Sequence, residues 1–328
     1  MNQTLPQSLR ESFALEFIEE ESLSPWAQVH RGRTRSGVEV VVKRTAATRQ
    51  HAEAMAEWTR QLRDGGIATV APVDLATPNP QEVTLMEGEE PEWWVAYPFC
   101  DGSPYTGTVE QIAAAGDLLG RMHAMPVRPD LSVSLRQYRW PETSRDEVDD
   151  EVENLDGILE RHGGAGAEQA RGVVRALAAR WWEQSLLSLR AADEAESLPC
   201  AGVTSDYKAS NLVFIGDDPV LVDPDNGGME PRIFDLALAV ILFHNECPSA
   251  PPRALTASEW STFASSYLKH ITLTEREREL WPQALDHMLW EEGSWVLEDN
   301  DEDAWNDPRQ GGQLRDLALI TPDRYPLP

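Results

Sequence analysis

The chain carries three lysines against twenty-five arginines, and two of the three stand inside short patterned segments far apart in sequence. Lys43 closes a β-branched run, Val40-Val41-Val42-Lys43. Lys208 lies in Ser205-Asp206-Tyr207-Lys208-Ala209-Ser210-Asn211, which reads D-x-K-x-x-N. Twelve residues past Asn211 another apolar run ends in a carboxylate, Val220-Leu221-Val222-Asp223. A chain so biased to arginine keeps lysine where a compact point charge serves better than a planar fork. The three segments also constrain the fold. An early strand must present an ammonium, a polar loop must present Asp206 and Asn211, and a later strand must end at Asp223.

Composition narrows the class. At 328 residues, 41% hydrophobic and 26% charged, the chain has enough apolar material for one large domain or two lobes. No apolar run approaches the ~18 residues of a membrane span. The three cysteines, Cys100, Cys200 and Cys247, are widely spaced and odd in number, so they suggest neither a disulfide framework nor a zinc site. Reduced thiols and a cytoplasmic location are expected. A net charge of −28 argues against nucleic acid and anionic membrane as partners and suits a cationic small molecule.

Periodicity divides the chain. Met1 to Glu21 lacks a signal-peptide layout and reads as a short amphipathic helix through Leu9, Phe13, Leu15 and Phe17. Residues 22–43 read as strand, turn and strand, with Arg33-Thr34-Arg35-Ser36-Gly37 as the turn. Residues 49–64 are helical, with Met55, Trp58 and Leu62 on one face, ending at Gly65-Gly66. Short strands are expected at Val70–Val73, Glu82–Leu85 and Trp93–Tyr97. From about residue 100 the pattern turns helical: Ile112, Ala115, Leu119, Met122 and Met125 form one stripe, and further helices cover 144–190, interrupted at Gly163-Gly164. A hairpin joins Leu212–Phe214 to Val220–Val222 across Gly216-Asp217-Asp218. The expected domains are a β-rich one over 1–99 and a mostly helical one over 100–328.

The patterned segments carry what phosphoryl transfer requires: charge neutralisation, hard oxygen donors for a metal ion and an oriented nucleophile. Asp206 suits a general base that takes the proton of an attacking hydroxyl. The amide oxygen of Asn211 and the carboxylate of Asp223 suit Mg2+. Asp225 is a rival to Asp223, since both follow the strand. Lys43 suits nucleotide phosphates, and Lys208 either the transferred phosphate or the loop itself. A helix glutamate partner for Lys43 would be Glu53 or Glu57, although both lie opposite the Met55/Trp58/Leu62 face. Asp235, in Phe234-Asp235-Leu236-Ala237, suits a helix cap that ties the loop down through backbone N–H groups.

These segments, with Leu118-Leu119-Gly120-Arg121-Met122-His123, resemble the aminoglycoside phosphotransferase family in order and spacing over residues 22–240. The resemblance implies an α+β, bilobal protein-kinase-like fold, with a small β-rich N-lobe and a larger mostly helical C-lobe. It implies an ATP- and Mg2+-dependent phosphotransferase with an alcohol acceptor. Asp206 would be the base, Asn211 and Asp223 the metal ligands, Lys43 the phosphate contact, and Tyr97 to Phe99 part of the hinge under the adenine. The sequence departs from the family at Thr204, where a histidine is usual. It also lacks a glycine-rich phosphate loop, leaving Glu21 to Gln28, with Ser22, Ser24 and Pro25, to cover the phosphates.

Two acidic clusters bear on the acceptor: Asp146, Glu147, Asp149, Asp150 and Glu151, and the run from Trp290 through Glu291, Trp295 and Glu298 to Trp305. Carboxylates with indole faces favour ammonium-bearing ligands. The expected acceptor is a cationic, hydroxyl-bearing small molecule, plausibly an aminoglycoside-like antibiotic. A choline- or sugar-type metabolite kinase and a nucleotide-binding pseudokinase are the alternatives.

Overall fold

The computed structural model describes residues 4–24, 27–45, 48–84 and 92–328. The chain divides into two compact units: Met1–Gly102 with Val127–Gln137 and Val220–Gly228, and Ser103–Pro126 with Tyr138–Pro219 and Met229–Pro328. Among the described residues no helix is long and apolar enough to cross a membrane.

The smaller unit is built on a sheet of strands β1 (Leu15–Ile18), β2 (Val29–Thr34), β3 (Glu39–Arg44), β4 (Gln81–Val83) and β5 (Glu92–Pro98), in the order β1-β2-β3-β5-β4. All neighbours are antiparallel. The β2–β3 turn closes where Gly37 takes φ +87°, a conformation with no steric cost for glycine. Lys43 pairs with Val95 and Val41 with Tyr97 across β3 and β5. Because side chains alternate along a strand, Lys43, Val95 and Tyr97 share one face, and Val40, Val42, Trp94 and Ala96 share the other. The second set packs with Leu9, Phe13 and Leu15 into an apolar cluster. The first face carries Val70, Val95 and Tyr97, with Val220 and Val222 packed against them. The strand pattern thus places an ammonium on one face while the opposite face stays apolar.

Helix α1 (Leu5–Ser12) is shorter than expected. Ala14 takes φ +51° and the chain turns into β1, so Leu15 is a buried strand residue and Phe17 is exposed. The burial demand of the sheet overrides the helical period here. Val70–Val73 is not a regular strand. Thr69 makes a single bridge to Leu221, and Pro72 has no N–H for a ladder. Leu85, at the end of another expected strand, and Pro25 lie outside the described residues. Helix α2 (Arg49–Asp64) forms as expected, capped by Thr48, with Met55, Trp58 and Leu62 buried.

The larger unit is helical apart from short strands such as Cys200–Val203 and Leu212–Ile215. Helix α3 (Val109–Ala124) buries Ile112, Ala115, Leu119 and Met122. It packs against the helix Ala257–Tyr267 at close range. A methyl group at Gly116 would fall inside the contact distance of the Phe263 carbonyl, and one at Gly120 would lie 2.5 Å from the Tyr267 carbonyl oxygen. Two π-helical turns, Trp181–Ser185 and Leu289–Gly293, interrupt otherwise α-helical segments. Their tryptophans, Trp181 and Trp290, stack with ring centroids 5.3 Å apart.

Gly116→Ala is expected to destabilise the protein by about 1–3 kcal/mol, because neither helix backbone can retreat from the added methyl without losing its packing. A urea midpoint unchanged from the parent would contradict this account of the helix contact.

Candidate active site

In the smaller unit, Lys43 on β3 is buried and its ammonium meets two carboxylates. Nζ is hydrogen-bonded to Asp223 Oδ1 and lies 3.3 Å from Asp225 Oδ2. Burial alone would lower the lysine pKa, but Asp225 and Asp223 outweigh it and leave it raised. Asp225 is 3% exposed. Burial raises its pKa and Lys43 opposes the rise. Tyr97 donates its hydroxyl to Asp225 Oδ1, and burial followed by Asp225 pushes its phenol well above the ordinary value. Phe99 is half-buried, with the Arg31 guanidinium 4.0 Å above its ring centre.

Neither glutamate considered for Lys43 meets it. Glu53 pairs with Arg49 at 2.8 Å and Glu57 with Arg128 at 2.9 Å. Both sit on the outer face of α2, as their spacing from Met55 and Trp58 implies. His51 is the α2 residue whose imidazole lies near the backbone of Asp225. Burial and then Arg136 lower its pKa, while the charge and backbone of Asp225 oppose the fall. Sequence reasoning missed His51 and the bond between Tyr97 and Asp225. Both depend on how the 220–228 segment lies on the sheet, and no local pattern encodes that.

In the larger unit, the D-x-K-x-x-N segment is a tied loop. Asn211 Nδ2 donates to the Asp206 carbonyl and to Asp206 Oδ2, both at 2.9 Å. Lys208 Nζ lies 3.2 Å from Asp206 Oδ1 and 2.6 Å from Glu246 Oε2. Burial acts to lower the Lys208 pKa, and Asp206 and Glu246 overcome it. Ser205 takes φ +51°, an uncommon conformation for a residue with a Cβ. It is held there by two bonds: its N–H to Asp235 Oδ1 at 2.9 Å and its hydroxyl to Glu230 Oε1 at 2.7 Å. Asp235 therefore ties the loop, as expected, but it does not cap its helix; Pro231 occupies the N-cap. Its other oxygen accepts from His123 Nε2 at 2.9 Å, and His123 Nδ1 lies 3.0 Å from the Tyr267 hydroxyl. A carboxylate only accepts, so the imidazole must donate to it from Nε2. Thr204, where a histidine is usual, is fully buried and its hydroxyl accepts weakly from the Asp206 N–H at 3.4 Å.

The donor chemistry fits a hard divalent ion. Asp223 and Asp225 carry two negative charges against one ammonium, and Asp225 Oδ2 is buried 3.3 Å from that ammonium. Asn211 spends its amide nitrogen on Asp206, which leaves its oxygen as the donor end. Among the described residues no group of three or more His, Cys, Asp or Glu is placed to hold a metal ion.

The acidic runs resolve into one hollow and a solvated remainder. Glu147, Glu151, Glu291 and Glu298, with Trp290 and Trp295, line a hollow of about 380 Å³ whose wall contains no Lys or Arg. Trp295 is 56% exposed, whereas Trp305 is buried and stacks on His162 at 5.5 Å. Asp146, Asp149, Asp150 and Asp301–Asp303 face solvent instead. Burial, then Glu298, raises the Glu151 pKa to about 7. Burial, then Glu292, raises that of Glu291 to about 7. Burial, then Glu291, Glu230 and Glu292, raise the pKa of the Tyr138 phenol, and Glu230 is the group that holds Ser205. The π-turn at Leu289–Gly293 carries Trp290 and Glu291, so helical periodicity could not have predicted where they point.

The chain belongs to the phosphotransferase enzyme family, whose profile matches residues 26–280. It is a small-molecule phosphotransferase with an alcohol group as acceptor, on a protein-kinase-like fold. No curated protein matches the sequence. Among solved structures it is similar to an amicoumacin kinase in complex with AMP-PNP, Ca2+ and Ami: 17% identity, 97% of this chain and 93% of that one, TM-score 0.61. A microcompartment-associated aminopropanol kinase is similar at 12% identity over 95% and 91% of the two chains, TM-score 0.57. An aminoglycoside phosphotransferase from Alicyclobacillus acidocaldarius is similar at 14% identity over 97% and 95%, TM-score 0.55. At these identities the likeness is one of fold.

Lys43→Met should cost about 3 kcal/mol or more in urea denaturation, since it leaves the carboxylate of Asp225 buried without its counter-charge. A loss below about 1 kcal/mol, the worth of an exposed pair, would argue against a buried cluster. Glu291 yields a pH-dependent prediction. An acid with a folded pKa near 7 and an unfolded value near 4.5 binds its proton more tightly when folded. Its penalty on stability is therefore absent below the unfolded pKa and grows as pH rises towards 7. Glu291→Gln should melt with the parent at pH 4.5 and about 2 °C or more above it at pH 8. Equal melting at both pH values would contradict the assigned burial.

Proposed function

We propose that this enzyme is an ATP- and Mg2+-dependent kinase of a cationic, hydroxyl-bearing small molecule of aminoglycoside-like chemistry. The hollow formed by Glu147, Glu151, Glu291 and Glu298 with the two indoles carries this reading. At about 380 Å³ it is in the range of small-ligand sites and is larger than one ammonium group requires. A neutral sugar alcohol would leave the two partly buried carboxylates, Glu151 and Glu291, without counter-charge. An oligo-amine supplies that charge, and Trp295 adds an exposed indole face for a cation or a sugar ring. The name of one similar structure, an aminopropanol kinase, agrees with an amine-bearing acceptor.

In this reading each residue has one task. Lys43 and the segment Tyr97–Phe99 at the end of β5 and just beyond it hold the nucleotide, with Tyr97 acting through Asp225. By the family's pattern Asn211 and Asp223 would be the ligands of the ion, which would neutralise phosphate charge. Asp206 orients the acceptor hydroxyl and takes its proton as the oxygen bonds to the terminal phosphorus and the bond to the nucleoside diphosphate breaks. Lys208 steadies Asp206. The tie from Asp235 to Ser205 keeps the base at a fixed height in the loop. The three cysteines are free thiols, consistent with work in a reducing cytoplasm.

A panel of amine-bearing and neutral alcohols, incubated with Mg-ATP, would be read by mass spectrometry for addition of one phosphate. Transfer to polyamine alcohols is expected, with Asp206→Ala slower by about 10²-fold or more. Glu151→Gln with Glu291→Gln should raise KM for the amine acceptor by about tenfold and leave KM for ATP unchanged. Equal turnover of neutral and cationic alcohols would overturn the substrate class. Retention of full turnover by Asp206→Ala would overturn the assignment of the base.

A further inference from the structure

The turn after the helix Arg232–Leu242 holds the catalytic loop at two points. The Phe243 carbonyl accepts from the Ala209 N–H at 2.8 Å, and Glu246 Oε2 accepts from Lys208 Nζ at 2.6 Å. Glu246 takes φ +53°, a left-handed conformation that a residue with a Cβ rarely adopts. Such an outlier persists only where its surroundings fix it. Here the Asn245 N–H bonds the Leu242 carbonyl at 2.9 Å, and the Glu246 N–H reaches Gln310 Oε1 at 3.3 Å. Gln310 Nε2 in turn donates to Asn245 Oδ1 at 2.9 Å. The strain serves to deliver one carboxylate to Lys208.

The delivery has a chemical consequence. Lys208 is shared, 2.6 Å from Glu246 and 3.2 Å from Asp206 Oδ1, so its closer partner is the non-catalytic carboxylate. With Asp206 as its sole partner, the ammonium would be drawn onto the oxygen of the base. A tighter ammonium would compete more strongly for the oxygen that takes the acceptor's proton, while Asp206 Oδ2 accepts from Asn211.

We propose that Glu246 is a positioning residue for phosphoryl transfer: by sharing Lys208 with Asp206, it holds the ammonium at 3.2 Å from the base and so limits its grip on the oxygen that receives the proton. This rests on the reading of Asp206 as the base.

Two measurements test it. The protein has only three lysines, so acylation by acetic anhydride can be followed at each by mass spectrometry, with exposed Lys269 as the internal reference. In Glu246→Gln the labelling of Lys208 relative to Lys269 should rise by about threefold or more, since the amine loses its closer carboxylate. An unchanged or lower ratio overturns the pairing, and this arm needs no acceptor. With an acceptor found, Glu246→Gln should lower kcat by about tenfold or more. KM for ATP should stay within about twofold. Glu246→Asp should recover part of the rate. Glu246→Gly relieves the left-handed backbone and should melt no lower than Glu246→Gln while being as slow, which separates the carboxylate from the strain. Parent-like kcat in Glu246→Gln overturns the proposal. If the parent phosphorylates nothing, the reading of Asp206 fails, and the labelling ratio alone decides how Lys208 is held.

Discussion

An ammonium taken out of water must be matched by carboxylates, and the smaller unit is organised around that requirement. Lys43 cannot be buried on β3 unless negative charge is brought to it. The charge comes from Asp223 and Asp225, about 180 residues later in the chain, and Tyr97 adds a proton donor to the deeper of the two. The 220–228 segment is therefore held against the sheet by charge as well as by Val220 and Val222. Two carboxylates against one ammonium leave a surplus of negative charge, a state suited to a further cation and costly to maintain without one.

The larger unit solves a different problem, which is to hold a short polar loop in place without regular secondary structure. Ser205 and Glu246 both take left-handed conformations, and each is fixed by bonds from a separate element. Asp235 is the centre of this arrangement: one oxygen takes the Ser205 N–H, and the other takes a donor from a fully buried histidine. His123 is contributed by α3, and the glycines of that helix let Tyr267 come close enough to complete the chain. Helix packing and loop geometry are thus one mechanical system.

Strands β3 and β5, with α2 and α3, were legible because each is periodic, and α2 carries its own end signals, Thr48 before it and Gly65-Gly66 after it. The N-terminal segment was misread past Ser12. Leu9, Phe13, Leu15 and Phe17 suit a helical stripe, but the sheet needed Leu15 as an edge-strand residue. The acidic runs were legible as clusters but not as a site. Nothing in their spacing separates Glu151 and Glu291, which line the hollow, from Asp149 and Asp301, which face solvent. A π-turn shifts the register at Leu289–Gly293, and one inserted residue is enough to move a side chain to a different face.

The sequence by itself determined the family, the order of the chemical groups and the identities of Lys43, Asp206, Lys208, Asn211 and Asp223 as the residues to examine. Motif spacing encodes these because a loop or strand end of fixed length presents fixed side chains. Tertiary structure alone decided the partners. Lys43 meets Asp223 and Asp225 in place of a helix glutamate, Lys208 meets Glu246, Asp235 meets His123, and four glutamates from two distant helical stretches share one hollow. Pairings of that kind are set by how buried charge is neutralised once the chain is packed, and charge neutralisation acts through space, with no regard for separation along the sequence.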